Sequence, residues 1–140
     1  MLTIPITILS GLALLVLGQI IIRSFIDPIY ELRKLRGEIA DALIYHASTY
    51  MTLDEGFTTD AKEEARDAFR SLGGQLEAKS YAVPFYRAFA FIRAVPTLDS
   101  IEQARGNLLG LSNSVLGGQL ERSERHRDAI IKALKLRIPD

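Results

Sequence analysis

The stretch TIPITILSGLALLVLGQIII, residues 3–22, decides the architecture of this chain. It holds no charged side chain, and Arg23 ends it. Twenty residues at about 1.5 Å each extend roughly 30 Å, which is the thickness of the hydrocarbon core of a bilayer. No other segment of the 140-residue chain is as long and as apolar. The sequence therefore predicts a transmembrane helix within residues 1–26, followed by one helical domain over residues 27–140.

A cleaved secretory signal is the alternative interpretation of this segment. Such a signal has a basic start, a shorter apolar core and a small-residue cleavage site, and these features are not found here. Residues 23–36 hold four basic and two acidic side chains, whereas residues 1–22 hold none. The positive-inside rule therefore predicts an N-terminus outside and a cytoplasmic domain. The lack of cysteine agrees with a cytoplasmic location.

Beyond the span, apolar residues recur at three- and four-residue steps, which is typical of helices. Asp27-Pro28 predicts an N-cap followed by proline at the first helical position, so we expect the chain to bend and restart there. Residues 28–51 then carry a narrow apolar seam that includes His46 or Ala47. Its other members are Ile29, Leu32, Leu35, Ile39, Leu43 and Tyr50.

The rest of the chain divides into four further predicted helices. They start at Asp60, Pro84, Thr97 or Asp99, and Gln119, and the last three end at Val95, Gly117 and about Arg137. A loop is predicted over residues 52–59, and Gly73-Gly74 is expected to interrupt the helix that Asp60 begins. We therefore expect an all-α fold, with one transmembrane helix followed by a cytosolic bundle of about five helices.

The residue content argues against several functional classes. The 17 basic and 17 acidic side chains balance, so a binder of duplex DNA is not expected. The chain has no cysteine, its two histidines are 80 residues apart, and it lacks the common hydrolase and phosphate-binding motifs. We expect no enzyme, no cofactor and no metal.

The span has two chemically different sides. At about 100° per residue, nearly all its small and hydroxyl-bearing residues fall within an arc of roughly 100°. This arc contains Thr3, Thr7, Ser10, Gly11, Leu14 and Gly18, and the opposite side is aliphatic. Small residues permit close helix approach, so the arc predicts packing against copies of the same helix. Chance clustering in a plain anchor is the alternative.

A pore enclosed by the assembled helices is a further prediction. In such a pore Thr7, Ser10, Gly11, Leu14 and Gly18 would face the axis, and Leu14 would be an apolar gate that closes by dewetting. Pro28 would join the span to the cytosolic helix of residues 28–51.

The segment YAVPFYRAFAFIR, residues 81–93, interleaves aromatic and basic side chains. Such side chains stack on and pair with nucleotides or single-stranded oligonucleotides, so Tyr81, Tyr86, Arg87 and Arg93 are candidate ligand contacts. The alternative is structural: Phe85, Phe89 and Ile92 would form the core contact of a short helix, with both arginines along its surface.

Several segments carry a resemblance to a known group of proteins. They are FIDPI at residues 25–29, GEIADALIY at 37–45, Y-x-VP-x-Y at 81–86, R-x-VP at 93–96 and GLSNS at 110–114. These segments resemble an uncharacterised bacterial family of small single-pass membrane proteins. The layout is also similar to the membrane effectors of Hailong-type antiphage defence. That resemblance implies an oligonucleotide ligand, made by a nucleotidyltransferase, that controls a homo-oligomeric channel.

Two functions follow from these observations. The first is a homo-oligomeric effector of the bacterial inner membrane, whose ion channel is gated through the cytosolic domain by a nucleotide or oligonucleotide. The second is a non-conducting membrane-anchored scaffold that recruits a cytosolic partner protein. Both interpretations place the span among membrane lipids.

Overall fold

The computed structural model describes residues 3–51, 59–117 and 119–138. Every regular element in these ranges is helical, which confirms the predicted all-α fold. The elements are α1 (Thr3–Ile21), a π-helical turn (Ile22–Ile26), α2 (Asp27–Tyr45), α3 (Ala47–Met51), α4 (Thr59–Tyr81), α5 (Tyr86–Phe91), α6 (Leu98–Gly117) and α7 (Leu120–Leu134). The loop predicted at residues 52–59 lies outside the described residues, except for Thr59, which begins α4.

The first helix does not end at Asp27-Pro28, so the predicted N-cap and restart are wrong. Asp27 is helical, with φ −60° and ψ −46°, and its backbone N–H donates to the carbonyl oxygen of Ile22, five residues earlier. Inside a regular α-helix, Pro28 would lack a donor and would clash with the carbonyl group four residues before it. The wider π-helical turn relieves this conflict without breaking the helix.

The result is one continuous helix, Thr3–Tyr45, of 43 residues. It is the one helix in the described part of the chain that is long and apolar enough to cross a membrane, and its most apolar window is not buried at all. The span predicted at the N-terminus is therefore directly continuous with a helix of the bundle.

The α2 seam forms one side of the core, as its spacing predicted. Leu32, Leu35, Ile39 and Leu43 are all buried, and Tyr50 of α3 extends the seam. The helix breaks at His46, where φ is −91° and ψ is 7°, so the predicted helix over residues 28–51 is two helices in the structure. α4, α6 and α7 supply the rest of the core.

α4 is continuous through Gly73 and Gly74, so the predicted interruption is wrong. Gly73 is buried against α6, where a Cβ atom would lie 3.6 Å from the Cβ of Leu108. Packing of α4 on α6 stabilises the helix across this pair, which outweighs the weak helix propensity of glycine.

The helices of the bundle are antiparallel to their neighbours. Contacts between α2 and α4 are Glu31–Lys79 at 3.1 Å and the rings of His46 and Phe69 at 5.6 Å. Contacts between α4 and α6 are Glu77–Arg105 at 3.2 Å and Arg70–Asn113 at 3.4 Å, and a contact between α2 and α7 is Arg36–Leu134. The end of α4, the start of α6 and the end of α7 therefore lie at the end of the bundle nearest α1.

The predicted core contact of the short helix is largely wrong. Phe85 and Ile92 are 75% and 67% exposed, and Phe89 is only partly buried. α5 has six residues, and the left-handed residues Phe85 (φ 52°) and Arg93 (φ 61°) flank it. These turns, rather than helical spacing, determine which side chains are buried.

Candidate anion-binding cleft

The four candidate ligand residues do not share one site. Tyr86 is buried, its hydroxyl donates to the carbonyl oxygen of Pro96, and burial raises its pKa to about 12 although Arg36 partly opposes this. Tyr86 is therefore a core residue. Arg93, Arg87 and Tyr81 line three separate clefts, and the Tyr81 cleft includes the carboxylates of Glu77 and Glu102.

The cleft beside Arg93 has the clearest chemical character. Its volume is about 320 Å³, within the range of small-molecule sites. Arg36, Arg93 and Lys135 contribute positive charge, and none of the described residues that line it is acidic. The remaining lining residues are Ala90, Phe91, Val95, Pro96, Thr97, Ser100, Ala133 and Leu134. We call this the cationic cleft.

Two of the three basic residues occupy unusual backbone positions. Arg93 (φ 61°) and Lys135 (φ 51°) are left-handed residues that follow the C-terminal ends of α5 and α7. Each takes the position that glycine usually fills in a Schellman motif, because a side chain is disfavoured there. The sequence instead places a long basic side chain at both positions, and both line the same cleft.

The hydrogen bonds of both motifs are complete. Behind Arg93, the N–H of Ala94 donates to Phe89 at 2.9 Å, and that of Arg93 donates to Ala90 at 3.0 Å. Around Lys135, the N–H of Leu136 donates to Ile131 at 3.0 Å, and that of Lys135 donates to Lys132 at 3.4 Å.

Arg36 reaches the cleft from α2. Its guanidinium donates to the carbonyl oxygen of Leu134, whereas its Nε is buried and finds no partner among the described residues. Burial lowers the pKa of Arg36, and neighbouring Arg33 lowers it further. A ligand anion would supply both the countercharge and the acceptor that this side chain lacks.

Helix ends adjust the charge of the cleft. α5 and α7 bring their C-terminal ends to it, each equivalent to roughly half a negative charge, and α6 brings its N-terminal end, roughly half a positive charge. Thr97 caps α6, since its Oγ1 accepts from the N–H of Ser100 at 3.2 Å, which decides between the two predicted caps. The three full positive charges dominate, so the cleft suits phosphate or carboxylate groups.

Phe91 lies between the cationic cleft and the cleft that Arg87 lines, and it contributes to both. Its side chain is 89% exposed. A nucleobase can stack on an exposed aromatic ring of this kind, while the basic side chains beside it pair with the phosphate groups. Arg87 and Arg93 thus flank one aromatic side chain from neighbouring clefts.

The membrane-type helix presents its predicted face without a partner in the single chain. α1 has no buried residue, Leu14 is 71% exposed, and no described residue comes within 4 Å of a Cβ added at Gly11 or Gly18. The hydroxyls of Thr7 and Ser10 donate to backbone carbonyl oxygens of Thr3 and Thr7 at 2.7 and 2.9 Å. Both hydroxyls therefore keep lone pairs free to accept hydrogen bonds from water or a neighbouring helix. Packing and pore lining by this face stay predictions.

No protein-family model, curated protein or solved structure matches the chain. Sequence reasoning missed Arg36 and Lys135. In the sequence, Arg36 is one of the basic residues after the span that indicate membrane topology, and Lys135 lies in an ordinary basic helix end. A basic residue in a left-handed position is a useful signal, but only the backbone shows it.

Proposed function

We propose that this protein is a homo-oligomeric single-pass effector of the bacterial inner membrane. Its cytoplasmic domain binds a nucleotide or oligonucleotide in the cationic cleft, and binding gates an ion channel formed by the α1 helices. The setting that the sequence resemblance suggests is antiphage defence. One observation carries the proposal: Arg36 of the cleft lies on the same continuous helix as the span.

The packing of α2 supports this coupling. Leu32 and Leu35 are fully buried on either side of Arg33, so the start of α2 is held firmly in the bundle. Arg36 already bonds Leu134, and a bound phosphate competes for the same guanidinium. Ligand binding therefore changes the contact between α2 and α7, and a rigid helix transmits that change to α1.

The ligand class follows from the cleft. The described lining of the cleft holds three cations and no carboxylate, which favours a multiply charged anion, and Phe91 favours one that carries a ring. Nucleotides and short oligonucleotides combine both features. Arg87 extends the basic surface past Phe91, which suits a ligand longer than one nucleotide.

Ion flux through liposomes containing the purified full chain tests the proposal. The probes are the four nucleoside triphosphates and mixed-sequence single-stranded tri- to hexanucleotides. We expect at least one probe to change the flux, in either direction. Flux that no probe alters contradicts ligand gating, and no flux under any condition favours the non-conducting scaffold.

The left-handed residues provide an informative variant. Arg93→Gly with Lys135→Gly removes two charges from the cleft while placing the residue that the backbone prefers at both positions. We expect this variant to fold but to lose the response to the active probe. Arg125→Ala is the matched control, because this arginine is exposed on α7 and does not line the cationic cleft. If both variants respond like the parent, the cleft is not the ligand site.

A further inference from the structure

α5 presents an apolar face that the bundle leaves largely uncovered. Its members are Ala88 and Phe89 of α5 and the residues that adjoin the two ends of this helix, Phe85 and Ile92, and we call them the α5 apolar face. Phe85 and Ile92 are 75% and 67% exposed, and Ala88 is also exposed. Phe85 and Phe89 share a contact with the ring of Phe25, so these apolar groups are not scattered single side chains, and exposed apolar surfaces mark interaction sites.

This face touches the long helix just beyond the span. The ring of Phe25 stacks on that of Phe85, with centroids 6.2 Å apart and an interplanar angle of 11°. It also meets the ring of Phe89, with centroids 6.1 Å apart. Phe25 belongs to the π-helical turn, so it connects the α5 apolar face to the long helix.

The height of Phe25 above the membrane fixes the height of the α5 apolar face. Phe25 follows Ile22, the last residue of the uncharged run, by three residues, or about 5 Å of helix. The interfacial zone on each side of the hydrocarbon core is roughly 5–8 Å deep. Phe85 and Phe89 therefore lie at the level of the lipid headgroups when the span is inserted.

The side chains around the α5 apolar face are of the kinds found at membrane interfaces. Ile22 and Ile26 are exposed on the neighbouring turns of the long helix. Tyr81, at the end of α4 nearest α1, is 81% exposed, and tyrosine is enriched at membrane interfaces. Arg23 and Arg87 supply charges of the sign that anionic lipid headgroups attract.

We propose that the α5 apolar face rests in the interfacial zone of the same membrane that holds α1, as a second membrane contact of the bundle. The proposal rests on the insertion of α1 that the proposed function includes. Its occupant is the lipid headgroup and upper acyl region, because the contacts with Phe25 hold the face at the level of the headgroups. The contact fixes the tilt of the bundle relative to the membrane and orients the cationic cleft.

Tryptophan fluorescence tests this directly, because the chain contains no tryptophan. Phe85→Trp and Ile92→Trp report on the face, and Ile92 offers a second probe if the Phe25 stack tolerates substitution poorly. Leu14→Trp reports on the span. Tyr45→Trp is the matched control, since Tyr45 is 72% exposed but lies roughly 35 Å of helix beyond Ile22. Each full-length variant is reconstituted in lipid vesicles. The lipids carry a nitroxide quencher either on the headgroup or at the end of an acyl chain.

We expect the headgroup nitroxide to quench the fluorescence of Phe85→Trp and Ile92→Trp most strongly. The nitroxide at the end of the acyl chain should quench Leu14→Trp most strongly, and neither should quench Tyr45→Trp. If Leu14→Trp is quenched and both face variants behave like Tyr45→Trp, the membrane contact is wrong while the span stands. Blue-shifted emission without lipid quenching at the face means that protein covers it, which also overturns the proposal. If Leu14→Trp is not quenched, insertion itself fails, and the proposed function fails with it.

Discussion

The Arg36 guanidinium donates a hydrogen bond to the carbonyl oxygen of Leu134, joining the helix that contains the span to the C-terminal end of α7. Arg36→Met removes this bond and leaves a helix-end carbonyl without its charged donor. We expect the free energy of unfolding to fall by about 1–3 kcal/mol, measured by urea denaturation in detergent.

Arg33→Met is the control for Arg36→Met. Arg33 also donates to a carbonyl oxygen, that of Ala94, but its contacts are longer, 3.3 Å, and exposed. We expect a smaller loss of stability for this variant. Equal losses for the two variants would contradict a special role for the Arg36–Leu134 contact.

The ring of His126 leaves no room for a side chain at position 110, which is glycine. A Cβ atom at position 110 would lie 2.6 Å from Nε2 of His126, too close for any real contact, and the ring is held by a 2.8 Å hydrogen bond between Nδ1 and Asn107. Gly110→Ala must displace the ring, so we expect a destabilisation of about 1–3 kcal/mol. Thermal unfolding in detergent measures it.

Gly106, on the same helix, is the matched control. In the part of the chain that the structure describes, nothing lies within 4 Å of a Cβ added there. Because alanine is the better helix former, Gly106→Ala should stabilise the protein by about 0.5–1 kcal/mol. The two glycine variants are therefore expected to shift the melting temperature in opposite directions, and a shift of the same sign would refute the close contact.

Stability should fall in mildly acidic solution because of the two histidines. Burial lowers the pKa of His46, although Glu64 opposes this, and burial followed by Arg122 and Arg125 lowers the pKa of His126. The unfolded chain takes up these protons near the ordinary value of about 6.5, whereas the folded chain takes them up only at lower pH. The contribution of the two histidines to the free energy of unfolding is thus complete above about pH 6.5. It is lost as the pH falls through their lowered pKa values in the folded chain.

The melting temperature between about pH 8 and 5 measures this effect, since most carboxylates remain ionised over that range. His126→Gln replaces one of the titrating groups, and its melting temperature should depend less on pH than that of the parent. A melting temperature that rises on acidification would show that the sign is wrong.

The parts of the fold that sequence could predict are those that local patterns control. The seam through Leu32 and Leu43 was predictable because one helix face buries every third or fourth residue. The continuity through Pro28 was not, because it depends on a π-helical turn that no residue pattern specifies. The cationic cleft could not be predicted for a similar reason. Arg93 and Lys135 occupy left-handed positions after helix ends, and in a sequence only glycine indicates such a position.

The small-residue face of α1 gives the most direct test of assembly. The chain has no cysteine, so a single introduced cysteine can form a disulfide only with another copy. Gly11→Cys and Gly18→Cys place thiols on the predicted packing face, where the single chain leaves open space. We expect both to give disulfide-linked dimers under mild oxidation in membranes, because packed small-residue faces bring Cα atoms within the roughly 4.4–6.8 Å that a disulfide needs.

Leu9→Cys and Val16→Cys are the matched controls for these two cysteines. Each lies two residues before its glycine, which at about 100° per residue places it on nearly the opposite side of the helix. Both positions are exposed in the single chain, so their thiols are as accessible as those at the glycines. Dimers from the glycine positions alone support self-association through this face. Equal crosslinking on both sides indicates random collision, and purely monomeric bands at all four positions contradict both the packing face and the pore.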